Sequence, residues 1–138
     1  MRKIVLILCA LLAAPSFAAE PGWSCRNTDA EITCWDGSCD VVTGEGFTPM
    51  SVTFRSGRLD VCAYTWCWSG SATVLEDDML VYVQSRQLRD ARNKDGDPGV
   101  FQLALNKKSR LAVLNGEGLA HPMHCEPWAC SEDCDHPQ

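Results

Sequence analysis

All three histidines of the chain lie at or beyond residue 121. They fall in the stretch His121-Pro122-Met123-His124-Cys125-Glu126-Pro127-Trp128-Ala129-Cys130-Ser131-Glu132-Asp133-Cys134-Asp135-His136. Imidazole, thioether and thiolate groups are the usual ligands of copper and zinc, so a metal-binding or metal-stress role is one reading of this cluster. The spacing Cys-x4-Cys-x3-Cys-x-His matches no standard zinc framework, and outside the cytoplasm disulfide formation competes for the thiolates. With the cysteines oxidised, the candidate ligands reduce to His121, Met123, His124 and His136 with the tail carboxylates. The preferred reading is an acidic, disulfide-closed tail, with no cofactor expected.

Tryptophan supplies the second candidate chemistry. Trp23, Trp35, Trp66, Trp68 and Trp128 all lie near cysteines in the chain. Trp66 and Trp68 share one face of an extended segment while Cys67 takes the other. They are therefore either packed at the rim of a core or available as a binding patch for a protein or a sugar.

Several catalytic chemistries have no support. Cys-x-x-Cys is absent, which excludes a thioredoxin-like centre, and Cys-x-x-Cys-His is absent, which excludes covalent haem. No serine sits in a Gly-x-Ser-x-Gly elbow. Asn93-Lys94-Asp95-Gly96-Asp97 resembles a calcium loop, but alignment on its glycine puts Ala91 where the first carboxylate belongs. Glu76, Asp77 and Asp78 read as a solvated turn rather than as a glycosidase pair. A non-enzymatic role is expected.

The compartment follows from the leader and the cysteines. Arg2 and Lys3 precede an apolar run from Ile4 to Ala14, followed by Pro15, Ser16, Phe17 and Ala18, the pattern of a cleaved secretory signal over residues 1–18. That run is shorter than the roughly 20 residues that span a bilayer, so no membrane span is expected in the mature chain. The chain has nine cysteines. Cys9 would leave with the leader, and the even remainder suits four disulfides in the periplasm or outside the cell. With 12 basic against 18 acidic side chains the formal charge is −6, and loss of Arg2 and Lys3 makes it more negative. Nucleic acid is thereby disfavoured as a partner.

The elements that must position these residues read as β throughout. Met50, Val52 and Phe54 alternate with Ser51, Thr53 and Arg55, the period of a half-buried strand. Leu59–Thr65, Tyr64–Trp68, Ala72–Leu75, Met79–Gln84, Val100–Asn106 and Ser109–Leu114 continue the pattern. Turns are expected at Ser56-Gly57, Asp77-Asp78, Asn93 to Gly99, Lys107-Lys108 and Asn115-Gly116. No window shows an apolar stripe at helical spacing, although Ser85 to Arg92 could form a turn or two of polar helix. The fold class is all-β: a small antiparallel meander closing into a disulfide-stapled barrel or sandwich. One β domain over residues 19–125 and an acidic tail over 126–138 are expected.

Asp36-Gly37 is a strong two-residue hairpin turn, which sets Cys34 opposite Cys39 where side chains approach closely. Cys62 and Cys67 have the same spacing without a good turn former between them. Cys25 and Cys125 bracket the strands, leaving Cys130 and Cys134 for each other. Eight cysteines allow 105 connectivities, so these pairs remain candidates.

At Phe47-Thr48-Pro49-Met50, Val61-Cys62-Ala63-Tyr64-Thr65-Trp66-Cys67-Trp68-Ser69-Gly70 and Gly118-Leu119-Ala120-His121-Pro122-Met123-His124-Cys125, the chain resembles small exported proteobacterial proteins of unknown function. The resemblance covers about residues 23 to 125 and implies a compact β fold, a periplasmic address and no activity. A looser likeness is to periplasmic inhibitors of C-type lysozyme, small acidic disulfide-bearing barrels with a Ser-Gly-x-x-Tyr motif. Here Ser56-Gly57 and Ser69-Gly70 are followed by Asp60 and Thr73 at the tyrosine position. The expectation is a non-enzymatic exported β module whose partner is a periplasmic or envelope protein. A copper- or zinc-binding protein and a lysozyme-inhibitor-like protein are the alternatives.

Overall fold

The computed structural model describes residues 22–128, apart from Thr65, Ala91 and Lys94. The expected leader over residues 1–18, Cys130, Cys134 and His136 lie outside the described residues. Among the described residues eleven strands run in chain order: β1 (Trp23–Arg26), β2 (Ala30–Trp35), β3 (Ser38–Thr43), β4 (Met50–Arg55), β5 (Arg58–Ala63), β6 (Trp66–Ser71), β7 (Thr73–Glu76), β8 (Leu80–Asp90), β9 (Gly99–Asn106), β10 (Leu111–Gly116) and β11 (Leu119–Pro127). A short 3-10 turn, Gly44–Gly46, links β3 to β4.

Eight of these strands close into an antiparallel barrel in the order β1-β4-β5-β6-β8-β9-β10-β11, with β11 returning to β1. Closure removes the open sheet edges, and an eight-stranded barrel is just wide enough for side chains to fill it. Strand alternation does the filling. Val52, Leu59, Val61, Val83, Leu88, Leu103 and Leu114 are completely buried, and Phe101, Val81 and Leu105 nearly so. The β2–β3 hairpin stands off the barrel on β11, and β7 pairs with β8.

Disulfides hold three of the strand pairs. Cys25–Cys125 links β1 to β11 at the seam where the barrel closes, between directly paired residues. Cys34–Cys39 ties the β2–β3 hairpin and Cys62–Cys67 the β5–β6 hairpin, again between directly paired residues. Their Cα separations of 4.1 Å match a non-hydrogen-bonded antiparallel pair, the closest approach two strands offer.

Three local expectations are corrected. Ser85 to Asp90 is not helical. β8 runs straight through to Asp90 with a register shift between Ser85 and Leu88. There Ser85 Oγ donates to the Ser71 carbonyl at 2.7 Å, and Leu88 turns back into the core. A strand with a register shift, and with the polar Ser85 and Asp90 buried while Arg86, Gln87 and Arg89 face out, loses the strict alternation that marks a strand in sequence. The β10–β11 turn is Glu117-Gly118, both at positive φ, rather than Asn115-Gly116. Gly116 is needed inside the strand, since a Cβ there would lie 2.3 Å from Phe101 Cδ1. Finally, β11 extends through Pro127, past the expected boundary at Cys125.

Candidate functional site

At one mouth of the barrel β1, β5, β8 and β10 end while β4, β6, β9 and β11 begin, and most of the chain's unusual side chains collect there. The β5–β6 turn carries Tyr64 at φ +50° and 72 % exposed. A bulky residue in the left-handed region is disfavoured, and this one is held between strands tied by Cys62–Cys67. Trp66 follows, half exposed, with the Arg92 guanidinium 6.0 Å from its ring centroid. Trp68 is on the same face, as alternation demands, but one step deeper: it packs on the core with its ring 5.5 Å from that of Phe101. The two candidate tryptophans therefore separate, Trp66 to the rim and Trp68 to the interior wall.

Beside Tyr64 a shallow groove of about 330 Å³ runs along the ends of β1, β4 and β5, lined by Arg26, Thr28, Pro49, Ser51, Cys62 and Tyr64. Its floor is completed by Asn27 and Met50. An aromatic wall, a proline, a cation and small hydroxyls make a surface suited to a polypeptide or saccharide edge rather than to an enclosed small molecule.

Beneath that groove lies a buried polar network. Asn27 is pinned at both ends of its amide: Nδ2 donates to the Thr48 carbonyl at 2.9 Å, and Oδ1 accepts from the Met50 N–H at 2.6 Å. The Asn27 backbone N–H also donates to the Met50 carbonyl. Glu31 Oε2 accepts from the Thr48 N–H at 2.8 Å. His121, only 1 % exposed, enters this group from β11, with Nδ1 3.2 Å from Asn27 Nδ2 and 4.0 Å from Glu31 Oε2. Burial pushes the His121 imidazolium below its ordinary pKa, and the Glu31 carboxylate partly opposes this. Neither Asn27 nor Glu31 stands out in the sequence, because a polar residue earns an inward position here only through partners 17 to 94 residues away.

Among the described residues the metal-ligand candidates His121, Met123 and His124 do not converge. Along β11 alternation sends His121 and Met123 into the barrel and His124 outward, where its Nε2 lies 3.5 Å from Asp29 Oδ2. Among the described residues no group of three His, Cys, Asp or Glu side chains is placed to hold a metal ion.

The opposite mouth has a second depression, lined by Thr53, Arg55, Ser56, Arg58, Asp60 and Trp128. Its groups largely satisfy one another: Arg58 pairs with Asp60 at 3.2 Å, Ser69 donates to Asp60, and Arg55 lies 5.7 Å over Trp128. Ser69-Gly70 has a packing role, since a Cβ on Gly70 would come within 3.1 Å of the Gln87 carbonyl and of Leu88 Cδ2. Trp35 is 81 % exposed at the end of the β2–β3 hairpin.

Three disulfides suit an oxidising environment outside the cytoplasm. Among the described residues no helix is long and apolar enough to cross a membrane. No family model, curated protein or solved structure matches the chain.

Proposed function

We propose that the chain is an exported, non-catalytic binding module that works in the periplasm or outside the cell and docks a periplasmic or envelope protein at the Tyr64–Trp66 mouth. The observation that carries this reading is Tyr64. A large aromatic is held at positive φ, mostly exposed, on a turn locked by Cys62–Cys67. Exposed rigid aromatics contribute contact area at low entropic cost, which is why tyrosine and tryptophan dominate binding hot spots. The barrel interior is filled by aliphatic side chains, and this favours a surface role over an enclosed ligand site.

The test is affinity capture from envelope extracts with the wild-type chain and with a Tyr64→Ser/Trp66→Ser variant. The expected result is an enriched protein that the variant fails to retain while its unfolding midpoint stays close to wild type. Equal recovery by both chains would refute the docking surface.

A further inference from the structure

We propose that the open edge of the β2–β3 hairpin is a strand-addition site, where an extended, basic polypeptide segment pairs with β3. The site is separate from the Tyr64–Trp66 mouth, and the inference does not depend on that reading.

The hairpin has one seated edge and one open edge. β2 lies against β11, where Thr33 and Ile32 pair with Leu119 and Ala120 and the Cys34 N–H donates to the Gly118 carbonyl. β3 ends the strand order, and among the described residues no strand pairs with its outer side. The register identifies the groups left over. Trp35 and Ser38 close a two-residue turn, so Cys34 and Cys39 form a non-hydrogen-bonded pair, in keeping with their 4.1 Å Cα separation. In an antiparallel ladder such residues turn both backbone groups away from their partner. Cys39, Val41 and Thr43 therefore point N–H and C=O outward, whereas Asp40 and Val42 bond Thr33 and Glu31. The Cys34–Cys39 bond holds the hairpin in shape, so an incoming segment meets a preformed template.

The occupant follows from charge. Open edges are commonly guarded by lysine, proline or a bulge. β3 has neither lysine nor proline, and its ladder with β2 runs without a register shift. Its single charge is Asp40, exposed on one face, while Val41, 67 % exposed, lies on the other beside the disulfide. From Asn27 to Phe54 the chain carries Asp29, Glu31, Asp36, Asp40 and Glu45 and no lysine or arginine. Glu31 is buried on the Thr48 N–H, and Asp29 pairs with His124. Asp36, Asp40 and Glu45 are exposed and have no ion-pair partner among the described residues. A second copy would set two such edges together, with like charges adjacent, in a chain of formal charge −6. Residues 129–138 add Glu132, Asp133 and Asp135 and no lysine or arginine, so they are not the complement either. A segment alternating basic and apolar side chains suits both faces, with the basic ones beside Asp40 and the apolar ones over Val41 and the disulfide.

The experiment adds to the full mature chain a peptide of alternating lysine and valine, about six residues long to match β3, and follows backbone amide exchange by NMR. The expected result is about tenfold slower exchange at Cys39, Val41 and Thr43 with Asp40 and Val42 little changed, because charge attraction alone has no such alternation. A peptide alternating glutamate and valine should protect none of them. Val41→Pro removes one outward N–H and no bond to β2, so it should abolish the protection while the unfolding midpoint stays close to wild type. Asp40→Lys, at an exposed position, should reverse the preference between the two peptides. The Tyr64→Ser/Trp66→Ser variant should take the lysine peptide as wild type does, which keeps this site distinct from the mouth. Absence of protection, protection without alternation, or equal protection by both peptides would overturn the proposal. So would a dimer in sedimentation that protects the same three amides without peptide, since the occupant would then be a second copy.

Discussion

Removing the seam disulfide should cost about twice as much stability as removing either hairpin disulfide. Cys25 and Cys125 are separated by 100 positions, whereas Cys34–Cys39 and Cys62–Cys67 each span 5. In the chain-entropy description a cross-link stabilises by restricting the unfolded chain. It gives about 4.7 kcal/mol for the long loop and about 2 kcal/mol for a short one at 25 °C. Both seam cysteines are buried, so a Cys25→Ala/Cys125→Val double variant keeps most of the packed volume and confines the effect to the lost cross-link. Against a total stability of about 5–15 kcal/mol for a domain of this kind, the loss is a third or more. The assay is urea unfolding followed by tryptophan fluorescence, with the m-value compared between variants, because a released loop expands the unfolded state and raises m. A seam variant that loses no more than Cys34→Ser/Cys39→Ser would refute the argument from loop length. It would mean that the unfolded chain keeps its two ends close without the bond.

Two further outcomes follow from single positions. Gly116→Ala places a methyl group 2.3 Å from Phe101 Cδ1 and 2.8 Å from the Val100 carbonyl, so it should destabilise by about 1–3 kcal/mol through overpacking. Thermal unfolding measures this, and a neutral effect would mean that Phe101 has room to shift. The Asp77 carboxylate accepts from the Leu80 and Met79 N–H groups, and these bonds hold its pKa below the ordinary aspartate value. A folded pKa below the unfolded one gives stability that is present above the unfolded pKa and is lost as pH falls through the folded pKa. NMR titration should therefore place Asp77 below the ordinary aspartate value, and the Asp77→Asn variant should lose that acid-side dependence.

The Cys34–Cys39 hairpin was fully legible in sequence, because a two-residue Asp-Gly turn sets both register and facing positions within six residues. The alternation of Phe101, Leu103 and Leu105 announced an inward face, and β9 buries those three side chains. The Cys62–Cys67 bridge could be named only as a spacing. Its turn uses Tyr64 at positive φ, a conformation that no residue preference suggests, and the strain is tolerated because the paired strands and the bridge hold it. The His/Met/Cys stretch drew attention to His121 as a candidate metal ligand, and its His136, Cys130 and Cys134 lie outside the described residues. Once it is a strand, alternation parts His121 from His124, and His121 meets a network instead.

What the sequence determined by itself is therefore the local part: an all-β chain, its inward faces, its strongest turn, and a cysteine content that suits an oxidising compartment. Barrel closure, the bulge in β8, the packing need for Gly116 and the inward polar group of Asn27, Glu31 and His121 were decided by tertiary structure. The physical reason is range. Alternation and turn chemistry act between neighbouring residues, whereas a buried asparagine or a glycine beneath a phenylalanine is favoured only by partners that folding brings from another strand.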